Sequence, residues 1–171
     1  KIKVEIAEGG IKKIVVADIL DNRLALATEY GADAVVNTKT QSLEEFANEF
    51  TNGNGFDVCI EACGAPETFL GCIDNAAFAA NIILIGNGKK ETTFLHSILL
   101  KKELNVFGSR NSYARDFEAV IDLIAGGEVN VLDMVSAVYP VDKVDEAFKA
   151  LVENDGSLAK VLIDLTGEKN A

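Results

Sequence analysis

The residues whose chemistry stands out in this sequence follow short apolar runs. Asp18 comes directly after the run at 14–17, and Glu61 closes the run at 56–61 and opens the stretch EACGAPE. GNGKK at 86–90 follows the run ending at Ile85, and GSRN at 108–111 follows the run ending at Phe107. Glycine at such places lets a ligand approach the backbone closely. An arginine such as Arg110 matches phosphate oxygens in a bidentate fork. A carboxylate such as Asp18 can accept hydrogen bonds from both hydroxyls of an adenosine ribose, and it would repel a phosphate on the 2′ position. The same aspartate can instead cap the helix that follows, with Asp21 as the alternative cap. On residue chemistry alone both readings stand.

The thiols point elsewhere. Cys59, Cys63 and Cys72 are odd in number and form no CxxC pair, which argues against a disulfide framework and fits a reducing cytoplasm. Cys59 and Cys63 flank a strand, and the one histidine, His96, is far along the chain. Zinc wants three or four converging ligands, so no metal site is expected. Cys59 reads as a small buried hydrophobe. A lone histidine on a short helix reads as structural.

The elements that must position these residues follow from the apolar periods. Strands are predicted at 14–17, 34–36, 56–61, 82–85, 104–107, 135–139 and 161–165. Helices are predicted at 22–30, 43–50, 66–77, 94–100, 114–124 and 144–151. Ser42 with Glu45 reads as a capping box, and Pro66 suits a first helical turn. Short strands that are apolar on both faces and alternate with helices indicate an α/β fold, with a parallel sheet covered on both sides. In such sheets ligands bind outside the carboxyl ends of the strands, where Asp18 and the glycine stretches lie. After Gly108 the strands are further apart and follow turns, so a soft boundary divides 1–107 from 108–171.

Composition narrows the partners. The 171 residues are 49% apolar and carry a formal net charge of −11. That charge repels phosphate backbones and anionic lipid, so nucleic acid and membrane surfaces are poor partners. No apolar run approaches the roughly 20 residues of a membrane span, and no signal peptide is visible.

Five segments together resemble one known family. IVVADILDNRLALATEYGADAVVN is similar to the second strand, helix and third strand of the cofactor domain of zinc-dependent medium-chain alcohol and polyol dehydrogenases. GFDVCIEACGAPET resembles their fourth strand and its turn, NIILIGNG their fifth strand, and KKELNVFGSRN their sixth. MVSAVYPVDKVDEAFKALVENDGSLAKVLIDL resembles their C-terminal segment. The sorbitol, threonine and sugar-acid dehydrogenases are the nearest in flavour.

The resemblance implies a Rossmann-like, doubly wound parallel sheet that binds NAD. It implies that Asp18 holds the adenosine ribose with Arg23 nearby, and that Cys63 and Gly64 line the adenosine side through their backbone. Ile85, Gly86 and Asn87 would run beside the nicotinamide. The backbone near Val106 and Phe107 would meet its carboxamide, and Arg110 and Lys160 would contact phosphate or ribose. Strand 104–107 would pair with its copy in a homodimer. Asp18 speaks against the zinc-independent, NADP-preferring reductases of the same superfamily.

Two family features are not found in these residues. The glycine-rich GxGxxG turn is absent, and with it the first strand, which is central in the 3-2-1-4-5-6 order. The Cys, His and acidic zinc ligands of the N-terminal catalytic domain are absent too. Residues 1–10 fit the back end of the helix after that turn, with a strand paired to 14–17 as the rival reading. The chain begins with Lys1 and is expected to be part of a longer enzyme that oxidises a secondary hydroxyl, with no catalytic or metal residue of its own. The other functional class is a binding module without catalysis, taking a nucleotide or protein partner.

Overall fold

A computed structural model of the chain describes residues 12–166. The two readings of residues 1–10 fall outside the described residues. Thirteen regular elements alternate along the rest, besides two short 3₁₀ turns: β1 (Val15–Asp18), α1 (Asp21–Glu29), β2 (Ala34–Asn37), α2 (Leu43–Phe50), β3 (Phe56–Glu61), α3 (Pro66–Asn75), β4 (Ala76–Leu84), α4 (Ser97–Lys102), β5 (Asn105–Gly108), α5 (Ala114–Ala125), β6 (Val135–Pro140), α6 (Val144–Val152) and β7 (Lys160–Asp164). The described strands pair in parallel, as β1–β2, β3–β4–β5 and β6–β7. The fold is therefore α/β and Rossmann-like, as its strand–helix alternation implies. Two compact units divide it. One holds the described residues up to Asn37 together with those from Tyr113, and the other holds Thr38–Ser112.

In the first unit, Asp18 closes a ladder that pairs Val15 with Ala34 and Asp18 with Asn37. Leu24 of α1 and Val36 of β2 are buried. Helix α1 stops because Gly31 adopts φ +90°, a conformation that few residues other than glycine adopt readily. The Ala32 amide then donates to Ala27 O at 3.0 Å and that of Gly31 to Thr28 O at 3.0 Å. Further on, Asn154 folds the return into β7: its Oδ1 accepts from the Gly156 amide at 2.9 Å and the Leu158 amide at 3.0 Å.

In the second unit, Cys59, Ile73, Ala76, Ala77, Ala80 and Ile82 form the buried core, with Phe69 and Phe94 packed against it edge to face. Ser42 caps α2, its Oγ accepting from the Glu45 amide at 3.2 Å. The far end of α3 is capped by a side chain from α4. Lys102 Nζ donates to the carbonyls of Ile73, Asp74 and Ala76 at 3.0, 2.8 and 3.0 Å. An ammonium is well suited to that end of a helix, where unpaired carbonyls and the dipole both attract cations.

The second unit also departs from the sequence reading. The helix predicted to reach residue 77 ends at Asn75, and the strand predicted to begin at 82 already begins at Ala76. The alanine-rich stretch carries no glycine or proline to mark the change. The change falls where Gly55 lets the backbones pass closely: a β-carbon there would lie 2.7 Å from Ala77 N and 2.8 Å from Asn75 O. Strand β4 absorbs the misfit at a bulge between the pairs Phe56–Ala76 and Val58–Asn81, with Ala79 at φ +58°. An alanine there is strained by about 1 kcal/mol relative to glycine. Ala79→Gly is therefore expected to raise the melting temperature by about 2–4 °C in a thermal melt followed by circular dichroism. A lowered melting temperature would show that residue 79 gains nothing from glycine's left-handed freedom.

Candidate functional site

In the first unit the site begins where β1 ends. Asp18 Oδ1 accepts from the Ile19 amide at 2.7 Å and the Leu20 amide at 3.0 Å, which turns the chain into α1. Leu20 is the N-cap residue and makes no side-chain cap. Asp21 Oδ1 accepts from Asn37 Nδ2 at 2.6 Å. Neither aspartate caps the helix, so the capping alternative is not realised. The second oxygen of Asp18 lies 3.8 Å from Arg23 Nη1, with the two side chains 25% and 53% exposed. At that exposure the ion pair contributes little to stability. A carboxylate offers about four acceptor positions, so the Asp18 carboxylate retains acceptor capacity beside an arginine.

Arg23 also lines a cleft of about 590 Å³ with Asn22, Leu26, Asp133, Ser136 and residues 156–159. Asn22 Nδ2 donates across it to Gly156 O at 3.1 Å. Lys160 follows that lining directly and opens β7, exposed.

In the second unit the site is built on Glu61, the last residue of β3. Glu61 is only 4% exposed. Its Oε1 accepts from the amides of Cys63 and Gly64, each at 2.8 Å, and from Thr68 Oγ1 at 2.6 Å. Its main-chain oxygen accepts from the amides of Ile85 at 2.8 Å and Gly86 at 2.9 Å. One residue thus ties the turn after β3 to the turn after β4 and to the first turn of α3. The turns touch through glycine. A β-carbon on Gly64, at φ +77°, would lie 2.8 Å from Gly88 N, and one on Gly88 would lie 2.7 Å from Gly64 O. A cleft of about 220 Å³ runs along them, lined also by Ala65, Phe69, Leu84, Lys90 and Thr92.

The structure brings Asp18 and Arg23 together in one unit, and Cys63, Gly64 and Gly86 in the other. Ile85 and Asn87 flank Gly86 and are exposed. Phe107 pairs with Ile83 in the β4–β5 ladder, with 52% of its surface exposed. Arg110 is exposed in the loop beyond Gly108. Thr68 is what the sequence left unread. The sequence leaves Glu61 open between a hydrogen bond near the cofactor and a strand-end acid turned to water, and its burial excludes the second. The available signal was an acid at the end of an apolar strand, followed by a glycine turn able to donate amides and by a threonine in the next helix.

The glycine-walled cleft, which Phe69 and Leu84 line together with Thr92 and Lys90, could take the flat rings of a dinucleotide, and the carboxylate of Asp18 could accept from ribose hydroxyls. Zinc does not fit: among the described residues no group of three His, Cys, Asp or Glu side chains converges to hold a metal. Nor, among the described residues, is any helix long and apolar enough to cross a membrane.

A family model described as zinc-binding dehydrogenase matches residues 4–126. The chain belongs to this family. It is 30% identical over 149 residues to D-arabitol-phosphate dehydrogenase of Enterococcus avium, covering 86% of this chain and 42% of that one. The crystal structure of L-idonate 5-dehydrogenase from Escherichia coli matches with a TM-score of 0.81 and 28% identity, over 91% of this chain and 44% of that one. An alcohol dehydrogenase from Escherichia coli CFT073, complexed with NADH, matches with a TM-score of 0.83 and 27% identity, over 90% and 45%. The chain thus spans less than half the length of these relatives. The family read from the five segments is the family that matches.

Burial raises the pKa of Glu61, but the Thr68 hydroxyl and the amides of Gly64, Cys63 and Ala65 outweigh it and hold the carboxyl below its ordinary value. A folded-state pKa below the unfolded one stabilises the protein above the unfolded pKa, and this contribution is lost as pH falls through the folded value. Glu61→Gln is expected to cost about 2 kcal/mol at neutral pH, since hydrogen bonds to charged groups carry roughly that weight. Urea unfolding followed as the pH is lowered from neutral would read this, because the difference should close as pH falls through the folded value. A difference that persists in acid would mean the charge of Glu61 is not what holds the turn.

Proposed function

We propose that this chain is the cofactor-binding portion of an NAD-dependent, zinc-type alcohol or polyol dehydrogenase that oxidises a secondary hydroxyl to a ketone. The observation that carries the reading is Asp18, an accessible carboxylate at the carboxyl end of a parallel strand, with Arg23 beside it. Similarity to the polyol dehydrogenases, and to a structure holding NADH, supports it. When bound, the nicotinamide supplies the hydride chemistry, while the chain binds and orients it. In this reading Asp18 accepts from the ribose hydroxyls with Arg23 close by. Cys63 and Gly64 present backbone to the adenosine side, and Ile85, Gly86 and Asn87 to the nicotinamide. Phe107 and Val106 meet the carboxamide, and Arg110 and Lys160 take phosphate or ribose. The zinc and its ligands belong to the longer enzyme, and the chain divides at 107/108 into cofactor domain and returning segment.

The location that suits three unbridged cysteines is the cytoplasm. The assembly that suits the exposed strand β5 is a homodimer, with residues 104–107 of two copies extending one sheet. Sedimentation equilibrium checks this: Val106→Lys, a charge on the edge, should turn dimer into monomer. A variant that still dimerises would move the interface elsewhere.

Calorimetric titration with NAD⁺ and with NADP⁺ tests the cofactor. NAD⁺ should bind the tighter, and Asp18→Ala should weaken it by at least about tenfold, the weight of one charged hydrogen bond. Tighter binding of NADP⁺ would overturn the role given to Asp18.

A further inference from the structure

A buried carboxylate is costly unless fully hydrogen-bonded, and an apolar side chain of like size often serves stability as well or better. Stability alone therefore does not account for Glu61. What the carboxylate does is geometric. The consecutive amides of Cys63 and Gly64 point the same way, with Gly64 in the left-handed region. Such a concave pair of N–H groups is a natural seat for an anion. Here the seat is filled by the chain's own oxygen. Across the cleft, a β-carbon on Gly86 would collide with Glu61 Oε2 and Gly64 N, so the second turn closes down on the same carboxylate. Thr68 fixes it from the helix side: its Oγ1 donates to Glu61 Oε1 at 2.6 Å and is 2.8 Å from Ala65 O. Both ends of this arrangement belong to adjacent strands, where an α/β sheet receives its ligand.

We propose that Glu61 is a positioning residue of the cofactor cleft: it presets the Cys63–Gly64 turn against Gly86 and, by occupying the turn's amides, keeps phosphate off it, so that this wall receives the uncharged nucleoside part of the cofactor. The inference rests on the cofactor reading above. It assigns a division of labour within the bound dinucleotide. The phosphates go to cationic side chains, while the glycine turns after β3 and β4, in a cleft that Lys90 also lines, offer carbonyls and bare α-carbons to flat, neutral rings.

Thr68 gives the mildest way in, because Thr68→Val removes one donor and leaves the carboxylate, and Thr68→Ser keeps the hydroxyl. NAD⁺ affinity is measured by calorimetry at a temperature well below melting, with the folded state confirmed by circular dichroism. The amide signals of Cys63 and Gly64 are followed by NMR as NAD⁺, adenosine or inorganic phosphate is added. Thr68→Val should weaken NAD⁺ binding about tenfold, the equivalent of one lost hydrogen bond to a charged group. Thr68→Ser should bind as the unaltered chain does. The two amide signals should move with NAD⁺ and adenosine and stay in place with phosphate. A folded Thr68→Val variant with unchanged affinity would reduce Glu61 to a structural brace and overturn the inference, as would amide signals that move with phosphate. An unaltered chain that binds no NAD⁺ overturns the cofactor reading itself, and the inference with it, before any variant is compared.

Discussion

The geometry of the second unit depends on one carboxylate that is nearly sealed from water. Glu61 joins three pieces of chain: the turn after β3, the turn after β4 and the first turn of α3. Strand ends are the weak points of a parallel sheet, because the last amides and carbonyls of each ladder lose their neighbours. Here those groups find partners in one side chain and in its own carbonyl. The glycines follow from this. Once the two turns are drawn together, positions 64, 86 and 88 have no room for a β-carbon. The close backbone approach that a bound ring would use is therefore a consequence of how the strand ends are satisfied.

Asp18 and Glu61 make an instructive pair. Both are acids that end parallel strands, and both accept from the amides just beyond them. Glu61 spends its acceptors inside the fold and is held ionised by them. Asp18 uses one oxygen on its own turn and turns the other toward Arg23 at the surface. The longer side chain reaches across to a neighbouring helix, while the shorter one stays over its own strand. The first acid shapes a wall, and the second can address a ligand. The same residue chemistry thus braces the fold in one place and, in the reading proposed above, would serve recognition in the other, and burial decides which.

Much of this was legible in the sequence. Helix α2 and strand β3 fall at the predicted residues because their signals are local: a serine cap for one, a mostly apolar run between Gly55 and a glycine turn for the other. The candidate residues Cys63, Gly64 and Gly86 could be placed by their position after strands. Ala79 could not, because its left-handed backbone goes with a bulge in the β3–β4 pairing, and alanine carries no mark of that. The triple cap by Lys102 was equally hidden, since a lysine in an exposed-looking helix says nothing of carbonyls 26–29 residues back along the chain. The role of Glu61 was hidden for the same reason. Its strand position was plain, but burial is a tertiary property, and only burial turns a strand-end acid into a clamp.

Charge sets the last constraint. A chain of net charge −11 repels an anionic dinucleotide at long range, and this field is cut down within about 8–10 Å at physiological salt. Affinity must then come from short-range groups that act after the approach. Neutral surfaces such as the glycine walls incur no penalty from the field, and neither do ribose hydroxyls donating to Asp18. Phosphates do, and in the reading proposed above they would rely on cationic side chains at short range. An acidic protein of this kind gains selectivity from the arrangement. Multiply charged phosphate compounds with no nucleoside to lay on the walls meet the repulsion without the compensating contacts. A 2′-phosphate bound beside Asp18 would set its charge against a carboxylate. If Asp18 holds the ribose as proposed, the sign of the whole molecule would reinforce its discrimination against a 2′-phosphate.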